Sequence, residues 1–180
     1  PCGEQPLPAY GCCCLGSIDV ARFVKKPFED DCAFDFEAFG KVIDVSTRML
    51  DNVLDVTPWP LPAQKKEASN KRRVGLGFTG LGDALLMLRL AYDTDEARDM
   101  GSKISEYLRD RAYEASVELA RERGAFPLFN ADLYLSGGNF ASRLPQEVKD
   151  RIRKHGVRNS HLLSICLLYT SPSPRDRTRS

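Results

Sequence analysis

Two long stretches with helical spacing of apolar residues constrain the fold of this 180-residue chain more than any other feature. In the first, residues 34–56, apolar side chains recur at intervals of three and four residues. They are Phe36, Phe39, Val42, Ile43, Met49, Leu50, Val53 and Leu54. This spacing predicts an amphipathic helix, and the prolines at positions 58, 60 and 62 would end it.

A second, longer helix is predicted over residues 93–123. The run Asp-Thr-Asp-Glu at its start offers an N-cap and first-turn carboxylates, and Gly124 offers a C-cap. Its predicted buried stripe consists of Ile104, Leu108, Ala112, Ala115 and Leu119. Shorter helices are expected over residues 80–90 and 145–154. Residues 65–73 and 125–138 are expected to be connections.

Strand signals are short and few. Residues 157–165, which end in Leu-Leu-Ser-Ile, predict a buried strand. Residues 1–16 predict loop or irregular strand, because Pro6, Pro8 and Gly11 interrupt regular structure. Long helices with few short strands indicate an α/β fold in which helices cover a sheet or a barrel.

Composition restricts the functional class. Hydrophobic residues at 42% and charged residues at 28% are ordinary for a globular domain. No apolar stretch approaches the roughly 20 residues of a membrane span, and the N-terminus lacks a signal-peptide pattern. We therefore expect a soluble, cytoplasmic protein that does not enter a membrane. Six cysteines, three of them adjacent, are more typical of a catalytic or metal-binding cluster than of a secreted disulfide framework.

The first sixteen residues carry the candidate chemistry. Cys2 stands two residues before Glu4, and Gly3 between them would let backbone or ligand approach closely. A glutamate can act as a general base when burial raises its pKa. A short loop then leads to the consecutive cysteines at positions 12–14. This arrangement is typical of redox or radical chemistry; the alternative is an inert buried thiol beside an exposed turn carboxylate.

A zinc site is the competing interpretation of the cysteine cluster. Adjacent cysteines lack the spacing of about two to four residues that paired zinc ligands usually have. His155 and His161 are also far from the cluster in sequence. We therefore expect no metal there, and a structural role for His161.

Three segments, in order, resemble ribonucleotide reductases. Pro-Cys-Gly-Glu at residues 1–4, followed by Cys-Cys-Leu-Gly-Ser at 13–17, resembles the active-site finger loop of the adenosylcobalamin-dependent (class II) form. Arg-Arg-Val-Gly-Leu-Gly-Phe-Thr-Gly-Leu-Gly-Asp at 72–83 and Arg-Asn-Ser-His-Leu-Leu-Ser-Ile at 158–165 resemble further parts of the same family. The Gly-Glu-Gln after Cys2 favours the cobalamin type; the large subunit of a class I reductase is the alternative within the family.

The resemblance implies roles for individual residues. Cys2 would become the thiyl radical that abstracts the 3′-hydrogen of the substrate ribose, and Glu4 would take the 3′-hydroxyl proton. Cys13 would be one half of the redox pair that reduces the 2′ position and ends as a disulfide. The resemblance adds three substrate-contacting residues, Pro1, Gly3 and Ser164. Cys12 and Cys14 are expected to be packing thiols.

The resemblance also implies a larger assembly. Residues 1–165 would be part of a ten-stranded α/β barrel, and the fragment alone would be inactive. The partner cysteine, the substrate phosphate loop and the site for nucleotide effectors would lie outside it. The full-length enzyme would use adenosylcobalamin, through residues we cannot assign, and a thioredoxin or glutaredoxin-type reductant, on ribonucleoside di- or triphosphates. A homodimer is expected. A non-catalytic helical interaction module is the alternative outside enzymology.

A glycine-rich segment offers a different interpretation. Gly75, Gly77 and Gly80 have the spacing of a dinucleotide-binding fingerprint. That motif requires a hydrophobic strand immediately before it, and only Val74 is apolar there. We expect instead that these glycines let a helix start pack closely against neighbouring backbone.

Residues 166–180 are expected to be foreign to the native protein. Their run Cys-Leu-Leu-Tyr-Thr-Ser-Pro-Ser-Pro-Arg-Asp resembles the translation of a transposase-type sequencing adaptor; a natural disordered tail is the alternative. Without the three arginines and one aspartate of this tail, the formal net charge changes from +1 to −1. No basic surface for direct nucleic-acid binding is then expected.

Overall fold

The computed structural model describes residues 7–165. Strands β1 (Cys14–Asp19) and β4 (Val74–Thr79) pair in parallel, from Cys14 opposite Val74 to Asp19 opposite Thr79. The segment 161–164 lies on the other side of β4, where Leu163 forms a parallel bridge with Leu76. We call these three segments the parallel sheet. The predicted last strand is therefore present as an extended segment that pairs with β4.

The remaining elements lie in the two connections of this sheet. Between β1 and β4 come a 3-10 turn (Val20–Phe23), the short antiparallel strands β2 (Val24–Lys25) and β3 (Ala33–Phe34), and helices α1 (Phe36–Val56) and α2 (Pro62–Lys71). After β4 come α3 (Leu81–Met87), α4 (Asp95–Arg123), α5 (Ala131–Leu135), a 3-10 turn (Phe140–Arg143) and α6 (Gln146–His155). None of the helices within residues 7–165 is long and apolar enough to cross a membrane.

Helices α1 and α4 pack against each other, and α1 covers one face of the parallel sheet. A Cβ placed on Gly16 of β1 would lie 3.3 Å from Leu50 of α1, so this residue faces the helix. A Cβ placed on Gly40 of α1 would lie only 2.6 Å from the hydroxyl oxygen of Tyr107 of α4. Helices covering a short parallel sheet are the α/β arrangement predicted from the sequence, and they match a partial α/β barrel.

Helix α1 confirms the first prediction with a shifted start. Ala33 and Phe34 pair with β2, and Asp35 caps the helix by accepting a hydrogen bond from Ala38 N at 3.0 Å. Two predicted core positions are wrong, because Val42 and Met49 are 39% and 53% exposed. At about 100° per residue they point away from the buried face.

Helix α4 confirms the longer prediction. Thr94 caps its start, and Gly124 follows its end with φ +86°, a conformation that favours glycine. Of the predicted stripe, Ile104, Leu108, Ala112 and Leu119 are buried, whereas Ala115 is only half-buried. The short helix α6 also forms where it was expected, directly after Pro145.

Two local predictions are wrong, and a third, that residues 125–138 are rich in loops, is confirmed except for one short helix. Residues 65–73 are not a connection, since most of them belong to α2, whose polar sequence has no apolar stripe but begins with a proline at its first position. Residues 125–138 contain the short helix α5. The glycine-rich segment begins as strand β4, and α3 starts only after Gly80, whose φ is +73°. Two of the glycines thus lie in a strand interior, where they allow close approach of neighbouring chains.

Candidate active site

The structure places two of the six predicted site residues. Pro1, Cys2, Gly3 and Glu4 lie outside the described residues. Cys13 lies immediately before β1, and Ser164 lies in the segment that borders β4 on its other side. These two residues are 151 positions apart in sequence, so the structure alone can show whether they meet.

Cys13 and Ser164 meet above Gly75, in the middle of the parallel sheet. A Cβ placed on Gly75 would lie 3.3 Å from the sulfur of Cys13 and 2.9 Å from Cβ of Ser164. The same position would also contact Leu15, which is in register with Gly75. In-register residues of parallel strands share a face, so this face is opposite the one that Gly16 presents to α1. We call it the glycine face.

Gly77 continues the glycine face toward the end of β4. A Cβ at this position would collide with the carbonyl oxygen of Ser164. The backbone nitrogen of Ser164 in turn donates to the carbonyl oxygen of Leu76 at 3.1 Å. Only a residue without a side chain allows this close approach of the last segment to β4.

The hydroxyl of Ser164 has an unmet capacity for hydrogen bonding. Ser164 is 5% exposed, and its Oγ has no hydrogen-bond partner within the described part of the chain. Leaving such a buried group unpaired costs about 1–3 kcal/mol.

The neighbouring thiols of Cys12 and Cys14 are half-buried, as is Cys13. Cys14 packs against the hydrophobic core. Burial raises the pKa of both the Cys12 and the Cys14 thiols above their ordinary value, and the nearby Cys14 raises the pKa of Cys12 further. Thiols held protonated in this way are poor nucleophiles, which agrees with the packing role expected for them. Within residues 7–165, no group of His, Cys, Asp and Glu residues could hold a metal ion.

A buried polar cluster that the sequence analysis missed supports the end of the sheet. Asp51 of α1 is fully buried, and its Oδ1 accepts hydrogen bonds from Arg72 Nε at 2.8 Å and Asn159 Nδ2 at 2.9 Å. Its Oδ2 lies 3.3 Å from nitrogens of both Arg123 and Arg158. Burial alone would raise the pKa of the Asp51 carboxyl, but Arg72 and the other partners hold it below its ordinary value.

This Asp51 cluster joins four segments that are remote in sequence. Arg72 follows α2, Arg123 ends α4, and Asn159 precedes the last segment of the sheet. Asn159 is also held by Ser116 of α4, whose hydroxyl donates to Asn159 Oδ1 at 2.9 Å. The cluster thereby fixes the chain five residues before Ser164. The sequence did contain a signal, because Asp51 interrupts the buried stripe of α1 between Leu50 and Leu54.

Comparison with known proteins gives a consistent family match. Residues 1–166 match the family model described as "Ribonucleotide reductase, barrel domain". The chain is 39% identical over 127 residues to the vitamin B12-dependent ribonucleoside-diphosphate reductase of Thermoplasma acidophilum, which covers 71% of this chain and 16% of that protein. The protein of the same name from Mycobacterium tuberculosis is 38% identical over 138 residues, covering 77% and 19%.

A relative with a different name is nearly as similar. The ribonucleoside-diphosphate reductase large chain of Encephalitozoon cuniculi is 36% identical over 163 residues, which is 85% of this chain and 20% of that protein. The chain therefore spans a fifth or less of the length of these curated relatives.

Proposed function

This chain belongs to the ribonucleotide reductase barrel-domain family, and from that premise we propose that it forms part of the catalytic barrel of an enzyme that makes deoxyribonucleotides. The substrate would be a ribonucleoside di- or triphosphate. The electrons would come from a dithiol, and the radical from adenosylcobalamin.

One observation carries this proposal: the Cys13 sulfur and Cβ of Ser164 both lie close to Gly75, and the buried Ser164 hydroxyl has no hydrogen-bond partner within the described residues. The glycines at positions 75 and 77 let Leu15 and the segment around Ser164 pack directly against the backbone of β4, so a substrate would bind at the edge of this surface, next to Cys13 and Ser164. A thiol at the edge of such a surface can reach a bound sugar, and a buried hydroxyl can bind it. A helical interaction module would have no use for this arrangement.

The proposed chemistry involves residues within the described part of the chain and residues outside it. The thiyl radical of Cys2 would abstract the 3′-hydrogen, and Glu4 would accept the 3′-hydroxyl proton. Cys13 and a second cysteine outside this chain would supply two electrons and two protons. The 2′-hydroxyl then leaves as water, and the two cysteines form a disulfide. Glu4 would return the proton and Cys2 the hydrogen atom to the 3′ position, which regenerates the thiyl radical. Pro1, Gly3 and Ser164 would contact the substrate.

The cobalamin dependence rests on the names of the relatives. The part of the chain that the structure describes offers no set of residues that would hold a corrinoid, and the cofactor would supply only the initial radical. The Encephalitozoon relative favours a second candidate, the large subunit of a reductase whose radical comes from a separate subunit. Turnover of the full-length enzyme with and without adenosylcobalamin, in the absence of any second subunit, separates the two.

Substitution in the full-length enzyme tests the assigned thiols. We expect Cys2→Ser to abolish deoxyribonucleotide formation, because a serine hydroxyl cannot replace the thiyl radical. Cys13→Ser should abolish multiple turnover with a dithiol reductant, whereas Cys14→Ser, the matched control, should retain most of the activity. Full turnover by either of the first two variants would refute the role given to that residue.

Further parts of the proposal concern the whole enzyme. Nucleotide effectors, a thioredoxin or glutaredoxin-type reductant and a homodimeric state are proposed for it, together with a cytoplasmic location. The isolated 180-residue chain is predicted to be inactive, since the second redox cysteine would lie elsewhere. Any ribonucleotide reduction by this chain with adenosylcobalamin and a dithiol would contradict that prediction.

A further inference from the structure

The side chains of two consecutive arginines, at the junction of α2 and β4, lie in different surroundings. Arg72 has a left-handed conformation, with φ +47° and ψ +52°, which is uncommon for a residue with a side chain. Its guanidinium enters the Asp51 cluster, where it donates to both Asp51 and Asp55. Arg73 instead donates from Nη1 to Glu67 of α2 at 3.1 Å. The sharp change of direction at Arg72 separates the two side chains.

Arg73 is buried without enough acceptors. Its side chain is 10% exposed, and its Nε is buried with no hydrogen-bond partner within the described residues. Glu67 is shared, because the same oxygen also accepts a hydrogen bond from Lys71 at 2.6 Å. Two cations therefore face one carboxylate, and a guanidinium N–H lacks an acceptor. Such a buried, underpaired charge is unfavourable unless another anion binds it.

His161 adds a third group from the neighbouring segment of the sheet. Its carbonyl oxygen accepts a hydrogen bond from Val74 N, next to Arg73, and the adjacent Ser160 N donates to the carbonyl oxygen of Lys71. Ser160 Oγ lies 3.0 Å from Nδ1 of the ring, which leaves Nε2 for another partner. Burial and the nearby cations Arg73 and Lys71 lower the pKa of His161, which favours the uncharged ring.

We propose that Lys71, Arg73 and His161 form a binding site for a phosphoryl group. A phosphoryl group offers several acceptor oxygens, and the planar arginine fork binds such oxyanions with two parallel hydrogen bonds. The side chain of Glu67 holds Arg73 in place while leaving the local charge positive. The site lies at the amino end of β4, beyond Cys13, and its existence does not depend on the proposed reductase activity.

The two histidines of the chain allow a direct test by NMR. At constant pH, inorganic phosphate titrated into the 180-residue chain should shift the imidazole resonance of His161 in a saturable way. The resonance of His155, at the end of α6, should not move and serves as the internal control. A titration that leaves His161 unmoved, or moves both histidines alike, overturns the proposal.

Two substitutions are expected to change the phosphate affinity in opposite directions. An increase in affinity cannot result from misfolding. Arg73→Gln should weaken phosphate binding roughly tenfold or more, because it removes a charge-assisted hydrogen bond. Glu67→Gln should strengthen binding, since it removes the carboxylate that competes for Arg73 and Lys71. Arg48→Gln, which loses an ion pair with Glu122 elsewhere, should bind like the unaltered chain. If Glu67→Gln leaves the affinity unchanged or lowers it, the site is not the one proposed.

The source of the phosphoryl group is distinguished by comparing probes. Pyrophosphate that binds as tightly as a ribonucleoside diphosphate would indicate a site for free phosphates. Tighter binding of the ribonucleoside diphosphate, with the same dependence on Arg73, would indicate a nucleotide. Acetate at equal ionic strength should have little effect, and an equal shift of His161 by acetate would refute selectivity for phosphoryl groups.

Discussion

The two faces of the parallel sheet differ in how completely their groups are satisfied. On the face covered by α1, Gly16 contacts Leu50, and the charged Asp51 nearby has hydrogen-bond partners for both carboxylate oxygens. Beside the glycine face, the buried Ser164 hydroxyl has no hydrogen-bond partner among residues 7–165. The first face has the properties of a protein core in which the buried polar groups are paired. The second leaves one buried hydroxyl unpaired within the described residues, although native proteins rarely leave buried polar groups unpaired.

The largest expected effect comes from removing the buried charge of Asp51 on the side covered by α1. Asp51→Asn would leave Arg72, Arg123 and Arg158 around a neutral amide. Removing one partner from a buried ionic cluster typically costs about 3–5 kcal/mol. Urea unfolding of the 180-residue chain should show a loss of this size, whereas Asp44→Asn, which affects only the partly exposed pair with Arg111, should cost about 1 kcal/mol or less.

The same carboxylate predicts how stability depends on pH. Its pKa is lowered in the folded chain, so its contribution is present above the pKa of the unfolded chain, about 3.9 for a free aspartate. The contribution is lost as the pH falls through the lower folded value. In Asp51→Asn this part of the acid-induced loss of stability should disappear. An unchanged acid limb would show that other carboxylates dominate.

Adding a side chain to the glycine face should have the next largest effect on the free energy of unfolding. Gly77→Ala would drive a methyl group into the backbone of Ser164, and overpacking of this kind costs about 1–3 kcal/mol. Gly82→Ala in α3 is the matched control, because nothing lies within 4 Å of its added Cβ. It should stabilise the chain by up to about 1 kcal/mol through helix propensity. Equal stabilities of the two variants would contradict the close approach at Gly77.

The smallest expected effect on the free energy of unfolding comes from comparing the same substitution at two buried serines. Ser164→Ala removes a buried hydroxyl without a partner, so the free energy of unfolding should stay the same or rise by about 1 kcal/mol. Ser116→Ala removes a hydroxyl that is bonded to Asn159, and should cost about 1–2 kcal/mol. In the full-length enzyme, Ser164→Ala should raise KM without preventing folding. A marked destabilisation by Ser164→Ala would show that its hydroxyl is already satisfied.

Local signals in the sequence determined the long helices and the family. Asp35 and Thr94 cap α1 and α4, and the spacing of apolar residues sets their lengths, because caps and periodicity act over a few residues. Helix α2 escaped prediction since it lacks an apolar stripe. Cys13 was identified through its resemblance to a family motif, and its role stays a prediction, as do the roles of Cys2 and Glu4, which lie outside the described residues.

Tertiary structure alone decided which distant residues meet. Cys13 and Ser164 come close because β1 and segment 161–164 both run parallel to β4, one on each side of it. Glycines in β4 lie between them. Asp51 is buried because α1 turns that position toward segments that arrive more than 20 residues later, at Arg72 and beyond. Periodicity can mark a face as buried, but the partners of a buried charge depend on how remote segments pack, which no local pattern specifies.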